Sequence, residues 1–385
     1  MINVECMVVL LLYILQISAS SYINTTYRCT NEQQCIKEQG SINGSRTSDG
    51  FSTLNNCRLV CGKYGPLWPR PSGRVELGKN TIPINPFTIR FEQISSNQTA
   101  EVIVMLNEIE KYFLFNLRRE FYHQTMKFNT THFSLIIKLY TTSGTTSISW
   151  TTDESYTLNV LIENSTTVVA IIEANTIFGA RHGCETLLQL FTTVNEENST
   201  TSLHMLSQAI IIDQPTYPHR GLLIDTARNY IPIKCLKRQL DAMAASKMNV
   251  FHWHVTDTQS FPIQLESVPE MTTNGAYSAE AIYSPSDVRK IIRYAKYRGI
   301  RVIFELDAPS HAGNGWQWGP DKGLGNLAVC INQKPWRNFC IEPPCGQLNP
   351  INLNLYTVLK DIYYDLARMN KDELIFHMGG DEVFF

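Results

Sequence analysis

From Tyr217 onward, the apolar positions fall into short, near-continuous runs at 221–225, 249–255, 301–306 and 374–378. Between them the apolar residues recur with helical spacing, predicting helices at about 233–247, 285–298 and 354–370. Gly299 follows the second of these, where a helix end favours positive φ. Upstream the rhythm is different. Segments 134–140, 156–162 and 167–172 are rich in β-branched and aromatic residues and predict strands. Helices are expected at 101–121 and 176–191, the latter with Phe178, Cys184, Leu187, Leu188 and Phe191 largely on one face. Residues 21–65 are polar and punctuated by cysteine, and Pro66, Pro69, Pro71 and Gly73 mark a boundary after them.

Apolar strands spaced by helices argue for a parallel sheet covered on both faces, either doubly wound or a (β/α)8 barrel. Polar residues at the strand ends favour the barrel. Asp225, Asp257, Asp307 with His311, and Asp381 with Glu382 each follow a run, as a site at the C-terminal mouth of a barrel requires. No Gly-x-Gly-x-x-Gly follows a run, which argues against a dinucleotide crevice. A barrel takes about 250 residues, more than remain after Tyr217. The expectation is therefore α/β: the first half of a TIM (β/α)8 barrel, about four βα units, incomplete at 214–385. A smaller, non-catalytic α+β domain at 66–213 precedes it, and a Cys-rich extension at 21–65 precedes that.

Composition narrows the setting. A hydrophobic content of 43% supports large cores, and a net charge of -2 without a basic stripe argues against nucleic acid as a partner. The apolar run at 7–17, closed by Ser18-Ala19-Ser20, reads as a signal peptide over 1–20, and as a membrane anchor less readily. Acceptor sequons at Asn24, Asn43, Asn97, Asn129, Asn164 and Asn198 agree with export, to an extracellular or lysosomal destination. Cys29, Cys35, Cys57 and Cys61 can form two disulfides in three pairings, and their spacing does not fit a zinc ribbon. Cys330, Cys340 and Cys345 form an odd cluster, while Cys184 and Cys235 stand alone, so a free thiol or an absent partner is expected.

Four motifs carry candidate chemistry. His377-Met378-Gly379-Gly380-Asp381-Glu382 sets two acids after two glycines, which let a ligand approach the backbone. One acid can stay protonated while the other ionises, if burial and repulsion separate their pKa values; the bland alternative is an exposed pair opening a helix. His252 and His254 share a strand face above Asp257. They could bind zinc, but histidines satisfied by carboxylates fit better, and neither a metal nor a cofactor is expected. Asp307-Ala308-Pro309-Ser310-His311 ends a strand in a turn from which His311 could orient an acid. His219-Arg220-Gly221 opens the first strand, where the Arg220 fork suits hydroxyls or a carboxylate, or a structural ion pair.

Together and in this order, these motifs resemble glycoside hydrolase family 20, the β-N-acetylhexosaminidases. Arg220-Gly221 with Asp225-Thr226, His252-Trp253-His254 with Asp257 and Gln259-Ser260-Phe261, and His377 through Glu382 look like its successive strand signatures. Ala308-Pro309-Ser310-His311 followed by Gly313-Asn314-Gly315-Trp316 looks like the insect-type members, and 179–190 resembles the end of their N-terminal domain. The resemblance implies a retaining exo-glycosidase acting on carbohydrate with a terminal β-linked N-acetylhexosamine, through substrate-assisted catalysis. It makes Glu382 the general acid/base and Asp381 the group that holds the substrate's acetamido. Asp257 and His311 become a relay to Glu382, Arg220 a clamp on sugar hydroxyls, and a homodimer is conceivable for the full-length protein. Ser310 stands where many members have Gly. A catalytically inactive truncated isoform or a carbohydrate-binding decoy is the competing reading.

Overall fold

The computed structural model describes residues 25–39, 51, 53–97, 99–121, 132–195 and 201–383. The apolar leader and four of the acceptor asparagines (Asn24, Asn43, Asn129 and Asn198) lie outside the described residues; Asn97 and Asn164 are exposed. The chain begins with a hairpin of β1 (Thr25–Cys29) and β2 (Cys35–Gln39), followed by α1 (Leu54–Val60). Of the three possible pairings, the structure adopts Cys29–Cys61 and Cys35–Cys57, which tie the hairpin to the helix end. Leu59 and Val60 of α1 join the first hydrophobic cluster, so the Cys-rich extension is seated on it.

That cluster is built on a mixed sheet. Its strands are β3 (Val75–Leu77), β5 (Arg90–Ser95), β6 (Ser134–Thr141), β7 (Tyr156–Asn164), β8 (Thr167–Ala174) and β11 (Ala209–Asp213), in the order β3-β11-β7-β8-β6-β5. A second sheet pairs β4 (Thr81–Pro83), β10 (Thr201–Leu206) and β9 (Phe191–Asn195). Alternation in β6 buries Leu135, Ile137 and Leu139 on one face, as period-two geometry demands. Helix α2 (Ala100–Phe121) adds Val102, Met105, Ile109, Phe113 and Leu117, a stripe at three- and four-residue spacing. Helix α3 (Ile177–Leu188) follows the cap Thr176, whose hydroxyl accepts from Gly179 N at 3.2 Å. The helix expected at 176–191 thus stops early, and Phe191 opens β9.

The second cluster surrounds three parallel strands: β12 (Gly221–Asp225), β13 (Val250–Thr256) and β14 (Arg301–Leu306). Helices α4 (Ile233–Ala245), α5 (Glu270–Gly275), α6 (Pro285–Lys296) and α7 (Leu353–Met369) complete the described α-helices. Their register sets Asp225 beside His254 and His254 beside Glu305. The fourth strand expected at 374–378 is not a strand: it is one parallel bridge, His377 to Glu305, with His377 N donating to Phe304 O. The reason is local. The Glu373 carboxylate accepts from Leu374 N and Ile375 N, both at 2.9 Å, taking donors that a ladder would use. No helix of the described residues is long and apolar enough to cross a membrane.

Helix α3 is buried on nearly every side because its polar face meets the second cluster. Arg181 donates to Ala244 O at 2.7 Å, and Lys247 donates to Asp213 at 2.9 Å and to the Tyr156 hydroxyl at 2.8 Å. Glu154 accepts from His182 at 2.9 Å and from Asn249 at 3.1 Å. Burial pushes His182 down to about 4, so it sits neutral in this seam. Removing one partner of a buried ion pair leaves an uncompensated charge. Lys247→Ala is therefore expected to cost about 3–5 kcal/mol, read from urea unfolding; a loss under about 1 kcal/mol contradicts this account of the seam.

Candidate functional site

The C-terminal ends of the three parallel strands deliver the polar residues to one place. On β13, His252 and His254 share a face, while Trp253 points the other way and donates to Thr226 Oγ1 at 2.9 Å. His254 lies between two carboxylates: Nδ1 meets Glu305 Oε2 at 3.0 Å and Nε2 meets Asp257 Oδ2 at 3.1 Å. Asp257 Oδ1 in turn lies 3.3 Å from His311 Nδ1, and His311 Nε2 lies 3.2 Å from Glu382 Oε2. The result is a chain of alternating acid and imidazole: Glu305, His254, Asp257, His311, Glu382. Two more histidines end on Glu305, with His252 Nε2 and His377 Nδ1 each at 2.8 Å. Each of these rings therefore lies beside a carboxylate, but among the described residues only His254 is hydrogen-bonded at both nitrogens; Nε2 of His252 and Nε2 of His311 lie near their acids without hydrogen-bond geometry.

The electrostatics follow from the contacts. Burial opposes ionisation of Asp257, yet the imidazoles of His254 and His311 and the Arg228 guanidinium hold it down at about 2. Burial likewise opposes charge on His254, but Asp257 and Glu305 outweigh it and raise the ring to about 10. Contact with Asp257 raises His311. A proton held on His254 thus keeps two buried carboxylates compatible with each other. Glu382 is the outer member of the chain, with its side chain 34% exposed, where a ligand can reach it.

Backbone conformation aims the end groups. His311 and Glu382, which face each other, both have positive φ, 57° and 52°. Non-glycine residues rarely take this region, and it costs of order 1–3 kcal/mol each. Ser310 holds the turn by donating to Glu382 O at 3.0 Å. Gly379, with φ 66°, is needed for a reason other than ligand approach: a Cβ there would lie 2.3 Å from Asp307 Oδ1 and 2.8 Å from Ala308 N. The glycine lets the chain before Asp381 close onto the end of β14.

Of the sequence-predicted residues, Asp257, His311 and Glu382 come together as a contiguous chain, and Asp381 adjoins Glu382. Arg220 does not join them. It precedes β12, at the opposite end of the strand, and its guanidinium donates to Glu154, Tyr217 O and Lys247 O. Four of its five N–H donors are spent on the seam between the clusters, at the strand end away from the acids, so its expected clamping role is corrected to a structural one. The cation at the site is Arg228, which the sequence reading missed. Asp225 fixes it by accepting from Ala227 N, Arg228 N and Arg228 Nη1, while Nη2 lies 2.8 Å from Asp257 Oδ2. The available signal was position: Arg228 follows the C-terminal end of the first run and Arg220 precedes its start.

The chain is similar to known proteins over most of its length. Residues 217–385 match the glycosyl hydrolase family 20 catalytic domain, and residues 67–190 match a beta-acetyl hexosaminidase-like domain. The chain is 38% identical to a chitooligosaccharidolytic beta-N-acetylglucosaminidase of Ostrinia furnacalis, over 97% of this chain and 60% of that protein. It is 35% identical to the human beta-hexosaminidase subunit beta, over 85% of this chain and 56% of that one. The chain thus spans about 60% of the length of such relatives. A Flavobacterium johnsoniae chitobiase superposes with TM-score 0.61 at 26% identity, covering 82% of this chain and 45% of that one. An exo beta-N-acetylglucosaminidase from Vibrio harveyi, at 22% identity, shares the fold with TM-score 0.60, covering 91% of this chain and 52% of that one.

The imidazole–carboxylate chain makes a titration prediction. The folded pKa of His254 is raised above its usual 6.5, so its contribution to stability is complete below that pH and is lost as pH rises through about 10. That of Asp257 is depressed below 3.8, so its contribution is complete above that pH and is lost as pH falls through about 2. In an NMR titration, one imidazole is expected to stay charged at pH 8, and its signal to vanish in His254→Gln. Every histidine titrating near its ordinary value contradicts the arrangement.

Proposed function

The chain belongs to glycosyl hydrolase family 20, and on that premise we propose that the complete protein is a retaining exo-β-N-acetylhexosaminidase. It removes terminal N-acetylglucosamine or N-acetylgalactosamine from chitooligosaccharides or glycoconjugates. The observation that carries this reading is His311 suspended between Asp257 and Glu382 at 3.3 and 3.2 Å. Such a relay suits an acid that must give up a proton and later take one back.

Each residue then has a task. Glu382 donates its proton to the glycosidic oxygen as the C1–O bond breaks. The nucleophile is the substrate's own acetamido oxygen, which closes on C1 to give an oxazoline. Asp381 holds the acetamido N–H and offsets the charge that develops on it. Glu382, now ionised, takes a proton from water as that water opens the ring at C1, and two inversions leave the β configuration. Consecutive Cα atoms are about 3.8 Å apart, so two adjacent acids are poorly placed to flank one bond as separate nucleophile and acid. An internal nucleophile held in place contributes an effective molarity of about 10⁵–10⁸ M, roughly 7–11 kcal/mol of barrier. Arg228, at the mouth with its side chain 39% exposed, takes the hydroxyl-gripping part.

The same reading assigns 66–213 to a non-catalytic domain and 214–385 to the catalytic one. On this reading, the latter's three parallel strands and the bridge at His377 are taken as the first four positions of a (β/α)8 barrel. Export through a signal at 1–20, to an extracellular or lysosomal site, fits the sequons and the three disulfides. A homodimer of the full-length protein belongs to the same proposal.

The full-length protein is expected to release N-acetylglucosamine from a chromogenic β-N-acetylglucosaminide and to leave the corresponding glucoside almost untouched. Glu382→Gln is expected to lower kcat/KM by ~10²–10⁴-fold, and Asp381→Ala to depress turnover of N-acetyl substrates with little change in melting temperature. Near-normal turnover by Glu382→Gln contradicts its assigned role.

A further inference from the structure

Asp307 closes β14 beside the proposed site but has no place in the steps above. It is 4% exposed, and its Oδ1 has no hydrogen-bond partner among the described residues. The nearest cationic group, His311 Nε2, is 4.0 Å from Oδ2, and that ring is already shared by Asp257 and Glu382. His254 lies near Asp307 as well but is held between Glu305 and Asp257, and Arg228 between Asp225 and Asp257. The acids facing Asp307 are Asp257 and Glu305 from the strand ends and Asp381 from the segment after Gly379. Each cation in reach is committed elsewhere, so His311 and His254 only partly offset the burial of a charge on Asp307. Such a group keeps its proton.

The packing puts that proton to use. Gly379 lies against Asp307 so closely that no side chain fits between them, which carries Asp381, two residues on, to the Asp307 carboxyl. Resting on the function proposed above, we infer that Asp307 is a positioning residue: it stays protonated and donates to Asp381, fixing that carboxylate so its other oxygen faces the substrate amide. A protonated acid has one O–H donor, and a bond from it to a carboxylate is charge-assisted, short and directional. Without it, two adjacent acceptors repel and Asp381 turns away.

Burial first, then the neighbouring Asp381, pushes the Asp307 carboxyl up to about 7. Above that pH the donor becomes a like charge, so the site acquires an alkaline limit set inside the barrel rather than by Glu382. The effect on stability has a definite sign. The folded pKa lies above the ordinary 3.8, so the unfolded chain binds fewer protons between these values, and stability falls as pH rises through that window.

The test uses the full-length protein with Asp307→Asn and Asp307→Ala. The amide keeps the shape and a donor but cannot ionise. Asp307→Asn is expected to lose less than about tenfold in kcat at pH 6, and Asp307→Ala more than about a hundredfold, the span of general-acid and positioning effects. The alkaline limb of the kcat profile is expected to move up by at least a pH unit in Asp307→Asn. Its melting temperature should exceed that of the wild type at pH 8 by more than at pH 4. Infrared spectra of the substrate-free wild type should show a protonated carboxyl at pH 6 that titrates near 7 and is absent from Asp307→Asn. That spectrum needs no catalysis, so an inactive protein that shows the band sinks the proposed function and supports the protonated Asp307. An active protein with no such band, or an unmoved alkaline limb in Asp307→Asn, overturns the inference and leaves the function standing.

Discussion

A buried carboxylate with three cationic neighbours organises this structure. Asp257 is almost wholly enclosed at the end of β13 and is met by His254, His311 and Arg228, at 3.1, 3.3 and 2.8 Å. A charge in that position is tolerable only because those groups arrive from three directions: its own strand, the turn after β14, and the turn after β12. Its need for partners therefore fixes the relative register of all three strand ends. Glu382 inherits its place from this arrangement through His311, and the positive φ values on either side of that contact show that the backbone bends to make it.

The seam between the clusters works by the same rule at the other end of the strands. Glu154, His182, Arg220, Asn249, Asp213 and Lys247 are buried or nearly so, and each is paired. Buried pairs of this kind contribute little net stability compared with apolar packing, but they are costly to break and tolerate few alternative alignments. The strands are thus held by polar contacts below and above, with the hydrophobic cluster between supplying most of the cohesion.

The alternation of strands and helices after Tyr217 was legible because apolar runs of five to seven residues and amphipathic stretches differ in period. The three parallel strands fall within a residue or two of the predicted runs. The segment at 374–378 has the same apolar look but forms a single bridge, since Glu373 captures its first amides, a side-chain event that hydropathy does not record. Short strands such as β3 and β4, three residues each, carry too little pattern to stand out. At the site, the acids and His311 were readable from their places at run ends. The choice between Arg220 and Arg228 was not, because a guanidinium's role depends on which carboxylate it finds, and Glu154 lies far away in sequence.

The account stands or falls on whether two adjacent acids divide one reaction between them, one steadying an amide while the other moves a proton. The most direct measurement is a crystal structure of the full-length protein with a thiazoline analogue of the bicyclic intermediate. The account predicts the ring nitrogen within hydrogen-bond distance of the Asp381 carboxylate, with Glu382 reaching the C1 side and still touching His311. An analogue lodged away from both acids, or bound with Asp381 turned from the nitrogen, contradicts it.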